Sequence, residues 1–391
     1  MGEQIDRVLW GVRPDPVACV ARPTRAGIIV TLLAISACQE ELPPIVWEGE
    51  HVRIGTDLDI GEWCPGTLTY LDDFAGAVAA KLEIDREPFN YYVYPPPLRD
   101  HNVCNGTALG CWYRGALFTT RIPDRHEIVH AVDAGNSLMP LPFEEGAAAY
   151  WGDIPALITV DYTELDLHEA MDTYWRGDLS LKSYALFGHF TSYLIHTHGL
   201  EPYTALTRTT TLHTTRAGFD AAFEAAYDLP LDAAMDDYEA NWPYCPVEAL
   251  RSSFFECERE PIVIDGPGGP DPKAFSFDIS CGDPQVVGPD PNVNDVQKLW
   301  STATIEFAGP GSYHNLKVEQ PGVGEWNSAE IEFKRCDTDC TEVWYNMHVV
   351  RPAGLDAAAP NWFTFDAEPG RYVMRVSRNA DDPGPVVFTL E

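Results

Sequence analysis

The sequence predicts an α+β protein in which a domain of mixed helices and strands precedes an all-β domain. Apolar residues at helical spacing dominate up to about residue 260, whereas the last third contains short segments that alternate or are apolar at strand length. Residues 261–273 are rich in proline and glycine and are predicted to be a linker. The predicted domains are therefore residues 45–260 and residues 274–391.

The N-terminal residues 1–37 are predicted to be a signal peptide. Two arginines precede the apolar run of residues 27–37, which is too short to cross a bilayer. The run ends in Ile35-Ser36-Ala37-Cys38, which resembles a bacterial lipobox. The resemblance implies that Cys38 is lipidated, that residues 38–44 form a short tether, and that the protein is an exported lipoprotein of the outer membrane or cell surface. Ordinary secretory cleavage beside an incidental cysteine is the alternative.

The cysteine content agrees with export. Without Cys19 in the signal peptide and Cys38, eight of the ten cysteines remain, an even number that predicts up to four disulfides in an exported chain. The favoured pairing is local, with one long-range pair left over: Cys104–Cys111, Cys245–Cys257, Cys336–Cys340 and Cys64–Cys281. A structural zinc cluster is the alternative, but no pair has Cys-x-x-Cys spacing.

The charge limits the classes of partner. Sixty acidic residues against 26 basic ones give a net charge of −34, which would repel phosphate backbones and anionic lipid headgroups. The sequence therefore predicts no nucleic-acid partner, and contact with a membrane only through the N-terminal lipid.

The first domain opens with a small layer of strands and one helix. Strands are predicted over residues 51–55 and 89–94, and a helix over 67–82, where six apolar residues recur at helical spacing. Residues 111–120 read as one further strand. We expect this strand to form the edge of a cleft, where it could pair with an extended peptide.

The central motif is His126-Glu127-Ile128-Val129-His130. A helix is predicted to begin after Pro123-Asp124, and its residues 126 and 130 then stand one turn apart on the same face. Their imidazoles can bind one ion, and this spacing is typical of a zinc ligand pair. Glu127 lies beside them and is the candidate general base that takes a proton from the attacking water. A solvated helix with two unrelated histidines is the alternative.

A second alanine-rich helix, around residues 143–150, follows a short turn and supplies candidates for the third ligand. The histidine pair with its intervening glutamate, followed by a Glu-Gly-x-Ala segment, resembles the gluzincin metallopeptidases, the group that includes thermolysin and aminopeptidase N. The resemblance implies a zincin-like domain, one catalytic Zn²⁺ and hydrolysis of a peptide or protein substrate. It also implies that Glu145, directly before the glycine, is the third ligand in preference to Glu144.

A later helix is predicted over residues 181–198, before Gly199. It resembles a helix of extracellular gluzincin-like proteins in which a tyrosine precedes a Gly-Ser-Phe segment, although His189 stands here at the position of the serine. The resemblance implies that Tyr184 donates a hydrogen bond to the oxyanion of the tetrahedral intermediate. A core tyrosine on a buried helix is the alternative.

The last domain is predicted to be a β-sandwich. Six segments of strand length, separated by turn residues, lie within residues 302–390. Pro369-Gly370-Arg371-Tyr372 before a strand, with Gly309-Pro-Gly-Ser-Tyr313, resembles the pre-peptidase C-terminal domain of secreted proteases. Binding of substrate or a surface polymer and a purely stabilising role are both open for this domain.

The sequence thus predicts a surface zinc metallopeptidase with His126, His130 and Glu145 as ligands and Glu127 as base. Two alternatives stay open. One is a recognition or adhesion lipoprotein that keeps the protease fold without turnover, and the other is a zinc hydrolase of non-peptide substrates.

Overall fold

The protein combines helices with several β-sheets in the residues that the structure describes. The computed structural model describes the following residues: 42–101, 103–104, 108–135, 138–152, 165–178, 180, 183–242, 255–265, 272–291, 297–308, 313–319, 329–336, 347–350 and 361–390. The predicted signal peptide, Cys38 and the first residues of the predicted tether lie outside these ranges. No helix in the described ranges is both long enough and apolar enough to span a bilayer.

A five-stranded mixed sheet and one long helix form the first layers. In chain order these elements are β1 (Ile45–Glu48), β2 (Val52–Thr56), α1 (Pro65–Lys81), β3 (Phe89–Val93), β4 (Gly110–Tyr113) and β5 (Ala116–Thr119). The strand order is β1-β2-β3-β5-β4, with a parallel centre and antiparallel strands at both edges. Alternate side chains of β3 point to opposite faces of the sheet. Tyr91 and Val93 lie in the main core, whereas Tyr92 packs in a small cluster with Phe118.

The single strand predicted over residues 111–120 is wrong, because this segment forms a hairpin. Arg114 and Gly115 adopt positive φ angles of 51° and 83° between β4 and β5. Two consecutive residues in this conformation close a tight turn whose twist suits two antiparallel strands. As a result β4 lies at the edge of the sheet, as the sequence predicted for this segment.

Seven helices follow in the described part of the chain. They are α2 (Arg125–Asp133), α3 (Leu141–Trp151), α4 (Leu167–Trp175), α5 (Ser183–His198), α6 (Leu200–Thr209), α7 (Arg216–Tyr227) and α8 (Leu231–Asn241). Helix α3 packs closely on α5 because both carry glycines at the contact. A Cβ at Gly146 would lie 2.8 Å from the Phe187 carbonyl oxygen, and one at Gly188 would lie 2.7 Å from Ala149 Cβ. Small residues therefore bring α3 deep into the core.

The described residues after α8 form one short 3-10 turn, Glu256–Glu258, and otherwise mainly strands. They are β6 (Ile262–Ile264), β7 (Lys273–Ile279), β8 (Val287–Pro291), β9 (Gln297–Phe307), β10 (Tyr313–Glu319), β11 (Glu330–Arg335), β12 (Met347–Val350), β13 (Asn361–Asp366), β14 (Gly370–Asn379) and β15 (Gly384–Leu390). One sheet has the order β13-β10-β15-β7 and the other the order β12-β11-β14-β9-β6, with β8 paired to β9. Residues from both sheets, such as Phe388 and Phe333, share one apolar core.

Part of the predicted linker is structured. Ile262, Val263 and Ile264 form β6, which pairs in parallel with the end of β9. Ile264 is buried, and the three residues are all β-branched, which suits a strand. Residues 266–271 of the predicted linker lie outside the described ranges.

Three disulfides are present among the described cysteines, and two of them match the prediction. Cys64–Cys281 and Cys104–Cys111 form as expected. The predicted pairs Cys245–Cys257 and Cys336–Cys340 are wrong, because Cys257 bonds to Cys336 across a sequence separation of 79. Spacing alone favoured local pairs, whereas Arg371 of β14 contacts both the turn that carries Cys257 and the Cys336 N–H, which brings these two distant cysteines together. Cys245 and Cys340 lie outside the described residues.

Loss of the long-range disulfide should destabilise the protein more than loss of the local one. The Cys64–Cys281 bond spans 217 residues and Cys104–Cys111 spans seven. Chain-entropy arguments give about 5 kcal/mol for the first and about 2 kcal/mol for the second. We therefore expect a larger drop in the free energy of unfolding, measured in urea, for Cys64→Ala/Cys281→Ala than for Cys104→Ala/Cys111→Ala. Equal losses would contradict this ranking.

Candidate metal centre

The start of helix α2 is fixed to the sheet by a buried aspartate. The Asp124 carboxylate caps the helix by accepting from the Glu127 backbone N–H at 3.5 Å, and it accepts from the Thr119 hydroxyl on β5 at 2.6 Å. Its own N–H donates to the Tyr91 hydroxyl on β3 at 3.1 Å. Because side chains from two strands meet at this cap, the first turn of α2 has a defined place beside β4 and β5.

His126 and His130 stand one turn apart on α2 and point the same way. Their Nε2 atoms are 3.2 Å apart, and the two rings are nearly perpendicular. Both residues are buried. The i, i+4 spacing in the sequence therefore produces the convergence that it predicts.

Glu145 completes the group from α3. Its Oε2 lies 3.1 Å from His126 Nε2 and 3.4 Å from His130 Nε2. Ligands held about 2.0–2.1 Å from a tetrahedral zinc ion are separated by about 3.3–3.4 Å, so these distances suit three corners of such a site. In the described part of the chain, this buried group of two histidines and one glutamate could bind a metal ion.

The charges of the three groups are strongly coupled. Burial opposes protonation of the imidazoles, but the Glu145 carboxylate outweighs it and raises the pKa of His126 and, more strongly, of His130. Burial also opposes ionisation of Glu145, yet the two histidines lower its pKa to about 2. The carboxylate thus stays ionised and attracts positive charge, which protons or a metal cation can supply.

Glu144 orients His130 from the side opposite the candidate ion. Its Oε1 lies 2.9 Å from His130 Nδ1, and its Oε2 accepts from the Met139 N–H at 3.0 Å. A carboxylate at Nδ1 holds the proton on that nitrogen, so Nε2 is the nitrogen that would bind an ion. Glu144 is therefore a partner of a ligand, which agrees with the choice of Glu145 as the ligand itself.

Asp133 lies behind this pair. It is fully buried, and neither of its oxygens makes a hydrogen bond within the described part of the chain. Burial and the adjacent Glu144 carboxylate raise its pKa well above the usual range, which favours the protonated form. Asp133 is three residues beyond His130 on α2, and its side chain faces Glu144.

Glu127 lies beside the group without joining it. Its Oε2 is buried and has no hydrogen-bond partner in the described residues. The side chain packs against β4, where a Cβ at Gly110 would lie 2.7 Å from Glu127 Cδ. Burial, together with the Asp124 and Glu145 charges and against the attraction of both histidines, raises the pKa of Glu127 to about 7. A carboxyl with this pKa can both accept and release a proton near neutral pH.

Tyr184 on α5 contacts the group from another side. Its ring lies parallel to the His126 imidazole with centroids 6.2 Å apart, and its hydroxyl donates to the Glu145 carboxylate. Burial and the Glu145 and Glu127 charges raise the pKa of Tyr184 well above its usual value, so the hydroxyl keeps its proton. The predicted donor therefore lies at the centre, where it contacts a candidate ligand.

The structure brings together the four motif residues that the sequence singled out, but the sequence analysis missed what holds them. His126, His130, Glu145 and Glu127 come together, and Tyr184 adjoins them. The contact of Glu144 with His130 was not predicted, although its position directly before Glu145 was a usable signal. The Thr119 and Tyr91 contacts with Asp124 had no signal in the sequence.

Comparisons with known proteins identify no family. The chain matches no protein-family model and no curated protein. A solved pre-peptidase C-terminal domain of a collagenase from Bacillus anthracis is similar over 34% of this chain and 99% of that chain, with 12% identity and a TM-score of 0.21. Tripeptidyl peptidase 2 is similar over 34% of this chain and 10% of that chain, with 10% identity and a TM-score of 0.20.

A third solved structure, a family GH115 4-O-methyl-alpha-glucuronidase, covers 68% of this chain and 38% of that chain, with 11% identity and a TM-score of 0.15. Structural similarity this low carries no functional argument. The function must therefore be argued from the candidate centre itself.

Replacement of Glu144 by glutamine should weaken metal binding. The change removes the negative charge at His130 Nδ1 and leaves the amide free to present its NH₂ there. Loss of such a partner typically costs about 10–100-fold in metal affinity. Titration of Zn²⁺ against a competing chelator measures the effect, with the exposed Glu201→Gln on α6 as the matched control. Equal affinities for the two variants would contradict the orienting role of Glu144.

Proposed function

We propose that this protein is a zinc-dependent peptidase, exported and held at the cell surface by a lipid on Cys38. The observation that carries the proposal is the meeting of His126, His130 and Glu145 in one buried group, with the Glu127 carboxylate beside it. Two imidazoles and one carboxylate are a donor set typical of catalytic zinc, which leaves a fourth position open. The surface location and the peptide substrate are inferred from the sequence alone.

The metal would supply the electrophilic part of the chemistry. When bound, zinc polarises a carbonyl group and makes a nearby water more acidic. Nε2 of His126, Nε2 of His130 and Oε2 of Glu145 would hold it. The role of the surrounding chain is to keep these atoms convergent, and the contacts of Glu144 with His130 and of Tyr184 with Glu145 serve that role.

Glu127 would transfer the proton from the water to the leaving amine. Its buried Oε2 has no competing hydrogen bond among the described residues, so it is available to a water molecule at the centre. A pKa raised to about 7 suits a group that accepts a proton from water and returns it to the departing amine nitrogen. A cation bound nearby would lower this pKa, so that Glu127 would be ionised and able to accept a proton from the water that attacks the carbonyl carbon.

The edge strand β4 would align the substrate. Within the described residues β4 pairs only with β5, so its other edge can pair with an extended peptide. Gly110 of β4 contacts the Glu127 side chain, so this strand lies next to the proposed base. A peptide on the edge would therefore pass the centre with its backbone in a fixed direction.

Replacement of Glu127 by glutamine should abolish cleavage and retain the metal. The change removes the proton acceptor and keeps the volume, and loss of a general base typically costs about 10²–10⁴-fold in rate. We would incubate purified residues 39–391 with a complex peptide mixture and identify products by mass spectrometry. Glu201→Gln is the control, and the zinc content of each variant is measured in parallel.

We expect chelator-sensitive products from the unmodified chain and from the control. The Glu127→Gln variant should give no products although it retains zinc. An intact peptide mixture in the presence of bound zinc would contradict the peptidase activity. In that case a recognition lipoprotein, or a zinc hydrolase of another substrate class, accounts better for the geometry of the centre.

A further inference from the structure

Helix α1 is joined to the β-region, defined here as residues 255–390, by covalent and backbone contacts. The Cys64–Cys281 disulfide lies directly before α1. The Thr67 hydroxyl donates to the Gly288 carbonyl at 2.9 Å and accepts from the Gly288 N–H at 2.8 Å. At Gly66 a Cβ would lie 2.4 Å from the Val286 carbonyl oxygen, so the two backbones approach closely. The first turn of α1 is thus fixed against the β-region.

Tyr70, one turn further along α1, connects this contact with the motif helix. Its ring packs edge-on against Trp300 of β9 at 4.9 Å between centroids. Its hydroxyl accepts from Arg125 Nη1 at 3.0 Å and donates to Glu256 Oε1 at 3.4 Å. Arg125 is the first residue of α2 and directly precedes His126. One hydroxyl therefore lies between the β-region and the residue beside a candidate ligand.

Glu256 is held in place by the β-region itself. The Thr304 hydroxyl of β9 donates to the Glu256 carbonyl oxygen. The next residue, Cys257, bonds to Cys336, and its carbonyl accepts from Arg371 Nη1 at 3.1 Å. The short turn that carries Glu256 therefore moves with β9, β11 and β14.

The polar side chains that connect the β-region with α2 are buried and stabilise one another. Tyr70, Arg125 and Glu256 are 4%, 4% and 1% exposed. Burial raises the pKa of Glu256, although the positive charges of Arg125, Arg375 and Arg259 partly offset the shift. Its Oε2 has no hydrogen-bond partner in the described residues, so the carboxyl depends on the Tyr70 contact and these arginines. A buried charge loses its compensation if any of these groups moves away.

We propose that Glu256 is a positioning residue for the metal centre, which it orders through Tyr70 and Arg125. The β-region then supports the centre in addition to any binding role of its own. The shared core agrees, since Val287 and Trp300 of the β-region lie in the same apolar cluster as Ile128 and Val129 of α2. The link to metal binding rests on the proposed function, whereas the link to the order of α2 does not.

The test compares backbone hydrogen exchange in metal-free full-length chains. Glu256→Gln removes the charge with little change in volume, and Tyr70→Phe removes the hydroxyl and keeps the ring. The control is Glu258→Gln, which changes a half-exposed carboxylate that pairs with Lys81. We expect exchange in α2 to be about fivefold or more faster in both test variants, with α7 and the control unchanged.

Binding of Co²⁺ gives a second readout, which reports on the metal centre itself. Binding of Co²⁺, monitored through its visible absorption bands, should weaken about three- to tenfold in the test variants, with a changed spectrum. Unchanged exchange in α2, or an increase that is equal in α7, would overturn the positioning role. If Glu256→Gln does not fold, Tyr70→Phe decides by the same criteria. Failure of the unmodified chain to bind Co²⁺ would overturn the proposed function, while the metal-free exchange comparison still decides the role of Glu256.

Discussion

A buried carboxylate shared by two buried imidazoles is the constraint on which the rest of the centre depends. Oε2 of Glu145 lies 3.1 Å and 3.4 Å from the two Nε2 atoms, and all three side chains are buried. Buried ionisable groups are costly unless they are paired, so this arrangement persists only if each member is fixed and compensated. The close packing of α3 on α5, and the cap of α2 on the sheet, provide that fixation.

The groups that stabilise these buried charges lie on two sides of the centre. Glu144 contacts His130 at its Nδ1 atom, and behind it burial and the Glu144 carboxylate raise the pKa of Asp133. On the opposite side, Arg125 at the start of α2 reaches Tyr70 and through it Glu256. Polar contacts thus run from the centre to the β-region.

The sequence predicted the parts of the centre that depend on local periodicity. Helical spacing of His126 and His130 placed both imidazoles on one face. Gly146, directly after Glu145, allows α3 to approach α5 closely. Prediction failed where contacts are remote in sequence. The pairing of Cys257 with Cys336 depends on the packing of the turn at residues 256–258 against β14, which spacing does not encode. The hairpin turn at residues 114–115 depends on a positive φ at Arg114, which arginine rarely adopts.

The most direct test of the account is the position of a metal ion in a crystal grown with zinc, located by anomalous scattering at the zinc absorption edge. The account predicts one peak about 2.0–2.3 Å from Nε2 of His126, Nε2 of His130 and an oxygen of Glu145, with Glu127 close by but not a ligand. A density map without a peak at this place, in which the three side chains contact only one another, would contradict the assignment of a metal centre. A peak bound by other residues would contradict it equally.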